Sequence, residues 1–254
     1  MNIFERVAAI GVVPVIALDD ARHALPLADA LADGGLRVIE VTFRTAAAVD
    51  TIRQIAQHRP EMLVGAGTVL NEAQADAAKA AGAMFALSPG IDRAVLDHAA
   101  QIGLPFAPGI MTPSDLQIAL RAECRLVKFF PAMAAGGLTM LKNIAGPYLH
   151  TGIGFNPTGG ITRDNLTDWL GYAPVRAAGG TWIAKDVKDR PAYRAIALRK
   201  AQTLITVKSP AMLHAAGFLT RVFDILSRHQ ISVDLVTTSE ISVALTLDEG
   251  GMTS

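Results

Sequence analysis

From residue 12 to about residue 184, short apolar, β-branched runs alternate with alanine-rich segments of helical period. The runs 12–18 (VVPVIAL), 38–44 (VIEVTFR), 63–69 (LVGAGTV), 84–88 (MFALS), 104–109 (LPFAPG), 126–130 (LVKFF), 153–157 (IGFNP) and 176–183 (RAAGGTWI) read as strands. Near-continuous hydrophobicity in such short runs is what a parallel strand buried on both faces shows. Between them, 21–33, 46–58, 71–81, 92–102, 113–122, 137–145 and 163–170 read as helices. Several open on cap-type residues, such as Asn71 before Glu72, or Thr112-Pro113-Ser114-Asp115. Strands recur at a spacing that fits one strand, one helix and two short loops. The series therefore predicts an α/β chain folded as a (β/α)8 TIM barrel rather than an open doubly wound sheet. No GxGxxG follows the first strand, which weighs against a dinucleotide site.

The pattern changes after residue 190. Residues 203–208 (TLITVK), 231–236 and 241–247 (ISVALTL) read as strands, and 217–229 (GFLTRVFDILSRH) as an amphipathic helix. A β-α-β-β order with polar–apolar alternation is an α+β pattern, not another barrel unit. The expected division is a barrel over 1–192 and a small appendage over 193–254, with Arg194–Gln202 able to supply the eighth barrel helix.

Composition narrows the class. Hydrophobic residues make up 51% and aromatics only 6% of the 254 residues, so the core must be built from Ala, Val, Ile and Leu. The 23 basic and 23 acidic residues cancel, which gives no global field for nucleic acid or an anionic membrane. A single cysteine, Cys124, fits a reducing compartment. The amino-terminal residues lack the basic start and apolar run of a signal peptide, and no apolar run reaches the ~18 to 20 residues of a membrane span. A soluble, cytoplasmic protein is expected.

The chemistry begins with Lys128, which stands inside an apolar strand. Desolvating an ammonium is costly, and burial favours the neutral amine, a nucleophile toward carbonyl carbon. A lysine whose stem lines the core while its head reaches solvent would look the same in sequence. Barrel active sites form at the carboxyl ends of strands, and the residues expected there are Glu40 and Arg44, Thr68, Ser88-Pro89-Gly90, Pro108-Gly109, Lys128, Thr158-Gly159-Gly160 and Gly179-Gly180-Thr181. Glu40 and Arg44 are expected on one strand face. Glu40 suits a general acid–base, or a partner that merely neutralises Lys128 or Arg44. Arg44 offers a fork for a carboxylate, beside the Thr68 hydroxyl. The two Gly-Gly pairs are either anion-binding backbone or ordinary turns. The six histidines fall in helices or loops without metal-ligand spacing, and Ser88 has no His–Asp partner at another strand end. Amine chemistry without a metal or cofactor fits best.

The motifs VIEVTFRT (38–45), VGAGTVLN (64–71), FALSPG (85–90), PGIMTPS (108–114), VKFFPA (127–132), IAGPY (144–148), PTGGIT (157–162) and GGTWI (179–183) resemble the 2-keto-3-deoxy-6-phosphogluconate (KDPG) aldolases and 4-hydroxy-2-oxoglutarate (KHG) aldolases. The resemblance covers about residues 1–189 and implies a class I aldolase that releases pyruvate, working as a homotrimer without a cofactor. It implies Lys128 as the Schiff-base lysine and Glu40 as the proton shuttle. Arg44, Thr68, Pro89 and Phe130 would line the pyruvate end, and Gly159, Gly160, Gly180 and Thr181 would bind phosphate. Thr181 stands where the family commonly has serine.

The segment 212–248, entered through 197–210, resembles a β-α-β-β portion of the first regulatory ACT domain of aspartokinases. That resemblance implies amino-acid effector binding at Met212, Gly217, Phe218, Leu219, Asp234, Thr238 and Ser239. A non-catalytic sensing or assembly module built on a barrel is therefore the alternative to an enzyme. Retention of Glu40, Arg44, Thr68 and Lys128 together favours the enzyme.

Overall fold

The structure is a computed structural model, and it describes residues 1–180, 202–208, 228, 233–238 and 242–248. The chain divides into two compact units, Met1–Leu198 and Arg199–Ser254.

The first unit is an α/β fold with a curled parallel sheet. Its strands are β1 (Val12–Ile16), β2 (Val38–Thr42), β3 (Leu63–Gly67), β4 (Phe85–Leu87), β5 (Phe106–Ala107), β6 (Gly109–Ile110), β7 (Leu126–Phe129), β8 (Gly154–Pro157) and β9 (Ala178–Gly180). All pairings are parallel, and they follow chain order from β1 to β5 and from β6 to β8. Single bridges, Phe155 to Val175 and Thr158 to Gly179, link β8 toward β9, which pairs back onto β1. The expected strand 104–109 is broken at Pro108, which has no N–H to donate to a ladder. Its carbonyl still accepts from Lys128 N at 2.8 Å.

Helices α2 (Ala24–Asp33), α3 (Ala48–His58), α4 (Glu72–Ala80), α5 (Arg93–Gln101), α6 (Pro113–Arg121), α7 (Gly137–Ala145) and α8 (Arg163–Leu170) cross between strands. Their starts follow local chemistry: Asn71, Asp92 and Thr112 each accept from a first-turn backbone N–H, and Pro113 opens α6. The leading helix α1 (Ile3–Ile10) was not expected from periodicity, because eight residues give little over two turns. Its signal is the reciprocal cap in which Asn2 Oδ1 accepts from Glu5 N at 2.9 Å and Glu5 Oε2 accepts from Asn2 N at 2.8 Å.

Strand residues alternate between two cores. Outward-facing Ile39, Val41, Val64, Ala66 and Ala86 pack with α2 to α5, while Val127, Phe129 and Phe155 pack with α6 to α8. Inward-facing Val13, Val38, Leu63, Phe85 and Leu126 form a third cluster with Val7 of α1, and Phe4 meets the Phe85 ring edge-on at 6.2 Å. These residues lie at or near the amino ends of their strands, so α1 plugs that mouth of the curled sheet. Chemistry is left to the carboxyl ends.

In the second unit, β10 (Gln202–Lys208), β11 (Val233–Thr238) and β12 (Ser242–Asp248) form an antiparallel sheet ordered β10-β12-β11. The expected helix 217–229 lies outside the described residues except at Arg228, which is helical. Among the described residues no helix is long and apolar enough to cross a membrane.

Candidate active site

On β7, Leu126 and Lys128 face inward while Val127 and Phe129 belong to the outer core. On β2, Val38 and Glu40 face inward between outward Ile39 and Val41. The same period-two alternation thus aims two charged side chains, 88 residues apart in sequence, at one interior. Lys128 Nζ donates to Glu40 Oε1 at 2.8 Å, with the lysine side chain 6% exposed and the carboxylate fully buried. Lys128 therefore does not reach solvent along the core wall; its head is held inside by Glu40. The Phe130 ring centroid lies 5.7 Å from Nζ, within range of a cation–π contact.

Small residues make this pair fit. Glu40 is in register with Gly65 of β3, and Lys128 with Gly109 of β6, so each long side chain has a glycine beside it. Gly67, farther along β3, is closer still: a Cβ there would stand 2.2 Å from Glu40 Oε1 and 2.7 Å from Cγ. A Cβ on Gly109 would stand 2.1 Å from the Pro89 carbonyl oxygen. Among the described residues Glu40 Oε2 has no hydrogen-bond partner, so one acceptor of the carboxylate is left for other groups inside the site.

The other expected residues separate into three groups. The first gathers near the strand ends. Thr68 follows β3 with φ at 59°, a left-handed conformation that a β-branched residue adopts only where surrounding structure imposes it. Pro89 follows β4 beside Ser88, whose Oγ donates to Gly90 O at 2.5 Å, and half-buried Phe130 lies two residues beyond Lys128, just past the end of β7. Gly159 (φ 98°) and Gly160 (φ 76°) turn the chain after β8. Hydrogen bonds from Ala132 N to Thr158 O and from Met133 N to Gly159 O, at 2.8 and 3.0 Å, lace this turn to the loop after Lys128. Gly180 ends β9 in register with Pro14.

Arg44 forms the second group and departs from expectation. Strand β2 ends at Thr42, so Arg44 lies in the turn beyond it, exposed, and strand parity does not place it on the face of Glu40. Its Nε donates to Thr42 Oγ1 at 3.1 Å, and among the described residues no ion pair joins it to Glu40. Thr42 was not singled out in the sequence; buried, it bonds Ile16 O at 3.0 Å and anchors the arginine. The third group, Thr181, Met212, Gly217, Phe218, Leu219 and Ser239, lies outside the described residues, while Asp234 and Thr238 stand on β11.

Among the described residues no group of three His, Cys, Asp or Glu is arranged to hold a metal. Burial pushes the half-buried Cys124 thiol up to about 11, with Arg93 pulling weakly the other way, so this cysteine is no nucleophile at neutral pH.

A sealed amine paired with a carboxylate, toward the carboxyl ends of a curled parallel sheet, is suited to nucleophilic chemistry on a carbonyl carbon. The family model "KDPG and KHG aldolase" matches residues 3–197. A 2-dehydro-3-deoxy-phosphogluconate aldolase of Pseudoalteromonas atlantica is 47% identical over 69% of this chain and 80% of its own. A KHG/KDPG aldolase of Escherichia coli K12 is 47% identical over 68% of this chain and 80% of its own. The solved KDPG aldolase of Legionella pneumophila, with pyruvate captured as a covalent carbinolamine intermediate, superposes with a TM-score of 0.68 at 40% identity, covering 72% of this chain and 88% of that one. This chain belongs to the KDPG and KHG aldolase family.

Proposed function

We propose that this carbon–carbon lyase cleaves 2-keto-3-deoxy-6-phosphogluconate to pyruvate and glyceraldehyde 3-phosphate through a Schiff base on Lys128, and accepts 4-hydroxy-2-oxoglutarate, giving pyruvate and glyoxylate. The single observation that carries the reading is the 2.8 Å contact of Nζ with Glu40 Oε1 in a solvent-excluded interior. A proton passing from Nζ to Oε1 frees the amine lone pair. The lone pair attacks the substrate C2, the C–N bond forms, and the former carbonyl oxygen, taking one proton from Nζ and one back from Glu40, leaves as water to give an iminium. That cation draws the C3–C4 bonding electrons toward nitrogen as Glu40, now ionised, takes the C4 hydroxyl proton. The aldehyde departs, the enamine is reprotonated at C3, and water releases pyruvate and restores Nζ.

Arg44, held by Thr42, is the proposed clamp for the substrate carboxylate, with Thr68, Pro89 and Phe130 around the pyruvate end. Gly159, Gly160, Gly180 and Thr181 are the proposed phosphate cradle, for which the positive-φ turn at 159–160 is the supporting feature. The cyclic order of pairing supports the finer reading of the sheet as a (β/α)8 barrel over residues 1–192. A homotrimer is proposed from the family resemblance, and light scattering tests it. For residues 193–254 an ACT-like fragment remains the reading, supported by the antiparallel β10-β12-β11 order; calorimetry with lysine or threonine that shows no heat removes its effector role.

Borohydride reduction in the presence of pyruvate tests the mechanism. A mass increase on the peptide carrying Lys128, absent in Lys128→Ala, is expected. An active enzyme that resists borohydride and needs a divalent cation overturns it.

A further inference from the structure

Asn156 is a buried polar residue that the mechanism above leaves unused. It lies on β8 directly in register with Lys128 on β7, and both carry inward parity. Its exposure is 1%, and among the described residues its Oδ1 has no hydrogen-bond partner. Thr158, two residues on and therefore on the same face, has a buried Oγ1 that is likewise without a partner among the described residues. Across from them stands Gly179 of β9, where a Cβ would sit 2.4 Å from Thr158 Oγ1 and 3.5 Å from Asn156 Oδ1. The missing side chain thus makes room for Thr158 Oγ1, which stands with Asn156 Oδ1 on the same inner face. Buried acceptors without a protein donor are ordinarily met by an ordered water.

Lys128 supplies the other half of the argument. An ammonium has three N–H donors, and Glu40 Oε1 accepts one of them. After a proton moves to Glu40, the neutral amine keeps two N–H groups and one lone pair, and the direction of the lone pair depends on what those N–H groups bond. An acceptor on the neighbouring strand, at the same level of the ladder, fixes that direction.

Building on the Schiff-base reading, we propose that Asn156 is a positioning residue for Lys128: its Oδ1 accepts, through one bridging water, an N–H of Nζ, and so aims the lone pair at the substrate ketone. Thr158 completes the water's coordination. The rate of iminium formation, rather than pyruvate affinity, is what this contact governs.

The test measures the rate of borohydride-trappable adduct formation at saturating pyruvate, with half-saturating pyruvate and Tm measured in parallel, for wild type, Asn156→Val and Asn156→Ser. Valine suits a strand and removes the acceptor; serine restores an oxygen and leaves room for water. The trapping rate is expected to fall about tenfold in Asn156→Val, the effect of losing one hydrogen bond to a charged or reacting group, and to recover to within about threefold in Asn156→Ser. Half-saturating pyruvate is expected to stay within about twofold in both, since the contact acts on the amine and not on the bound acid. A wild-type rate in Asn156→Val, or equal losses in Asn156→Val and Asn156→Ser, overturns the proposal. Should Asn156→Val lose its cooperative melt, Asn156→Ala against Asn156→Ser makes the same comparison with two smaller residues that differ by one oxygen. Wild type that traps no pyruvate overturns the Schiff-base reading itself, whereas wild type that traps and a valine variant that matches it overturn only the role of Asn156.

Discussion

A methyl group added to Gly67 reaches the Lys128–Glu40 pair without altering any group proposed to do chemistry. Gly65 and Gly67 both lie on β3 with the same parity and without positive φ, so alanine is compatible with the backbone at either position and the effect of each substitution is steric. At Gly67 the new Cβ would stand 2.2 Å from Glu40 Oε1 and 2.8 Å from Cδ. Ordinary contact needs more than 3 Å, so the carboxylate must retreat by about 1 Å, a displacement that costs on the order of a hundredfold where geometry is set for attack. The 2.8 Å bond to Nζ cannot survive that shift unchanged, because the fully buried Glu40 has no solvent to swing into. At Gly65 the new Cβ would instead meet the Phe85 ring at 2.2 to 2.7 Å, in the inner cluster beneath the site, where Phe4 already packs against the same ring. That clash costs about 1–3 kcal/mol of stability as overpacking and leaves the pair in place.

The expected outcome is a crossed result. Gly67→Ala lowers kcat for pyruvate release by about a hundredfold, read by coupling to lactate dehydrogenase, with a modest change in Tm. Gly65→Ala lowers Tm by several degrees and keeps kcat within about threefold. Full kcat in a folded Gly67→Ala, or losses of kcat that simply track the loss of stability in both variants, would refute the claim that carboxylate placement carries the activity.

Three further outcomes follow from the same geometry. Glu40→Gln keeps an oxygen near Nζ but cannot take the C4 hydroxyl proton, so kcat should fall by about 10²–10⁴ while pyruvate is still trapped on Lys128; cleavage at the wild-type rate removes Glu40 from its role. With its thiol pushed from 9.0 to about 11, Cys124 should react with iodoacetamide at pH 8 about a hundredfold more slowly in the folded protein than in denaturant, and the rate should climb until pH passes the raised value. Because the folded value lies above the unfolded one, the thiol's contribution to stability is intact at neutral pH and is lost as pH rises from 9 through 11; equal labelling of folded and unfolded chains contradicts the burial. Finally, a chain ending at Leu198, the limit of the first compact unit, should retain kcat within about twofold of the full chain, and a loss of more than about tenfold in pyruvate release would show that the carboxyl-terminal segment serves the site.

How much of this was readable from residues alone differs from element to element. The strands were legible because each is short, apolar and buried on both faces, and their centres agree with the structure even where their ends do not. The lysine was legible as a charge misplaced in such a run, and Glu40 likewise. What failed was inference from strand length: parity carried Arg44 onto the face of Glu40 only if β2 continued to residue 44, and the strand stops at Thr42. The break at Pro108 follows from chemistry visible in the sequence, yet one proline in an apolar run does not say whether the strand bends or ends. Asn156 was invisible for a different reason. Within IGFNP nothing marks it as special; its position beside Lys128 is a property of register between two strands, and register is set by the whole sheet rather than by either segment.

That distinction explains why the site is so economical in functional residues. A parallel sheet brings together side chains at one level of neighbouring strands, so a lysine on β7 acquires Gly109 on one side and Asn156 on the other without any local motif joining them. Glu40 acquires Val15 and Gly65 by the same rule. Small or apolar neighbours let the two charged chains lean across the interior toward each other, and the buried carboxamide of Asn156 is the exception among the described residues at that level. Burying an amide costs free energy that an alanine or valine would not, so its presence beside the amine calls for a return elsewhere. The inner cluster around Phe85 joins apolar side chains of several strands to Val7 of α1, which makes it the part of the interior that serves stability. One step toward the carboxyl ends of the strands the interior changes from apolar to polar, and Glu40, Lys128, Asn156 and Thr158 occupy that boundary. On the proposed mechanism the depth of the pair matters: nearer the amino ends it would be walled off from substrate, and nearer the rim water would enter and the amine would stay solvated.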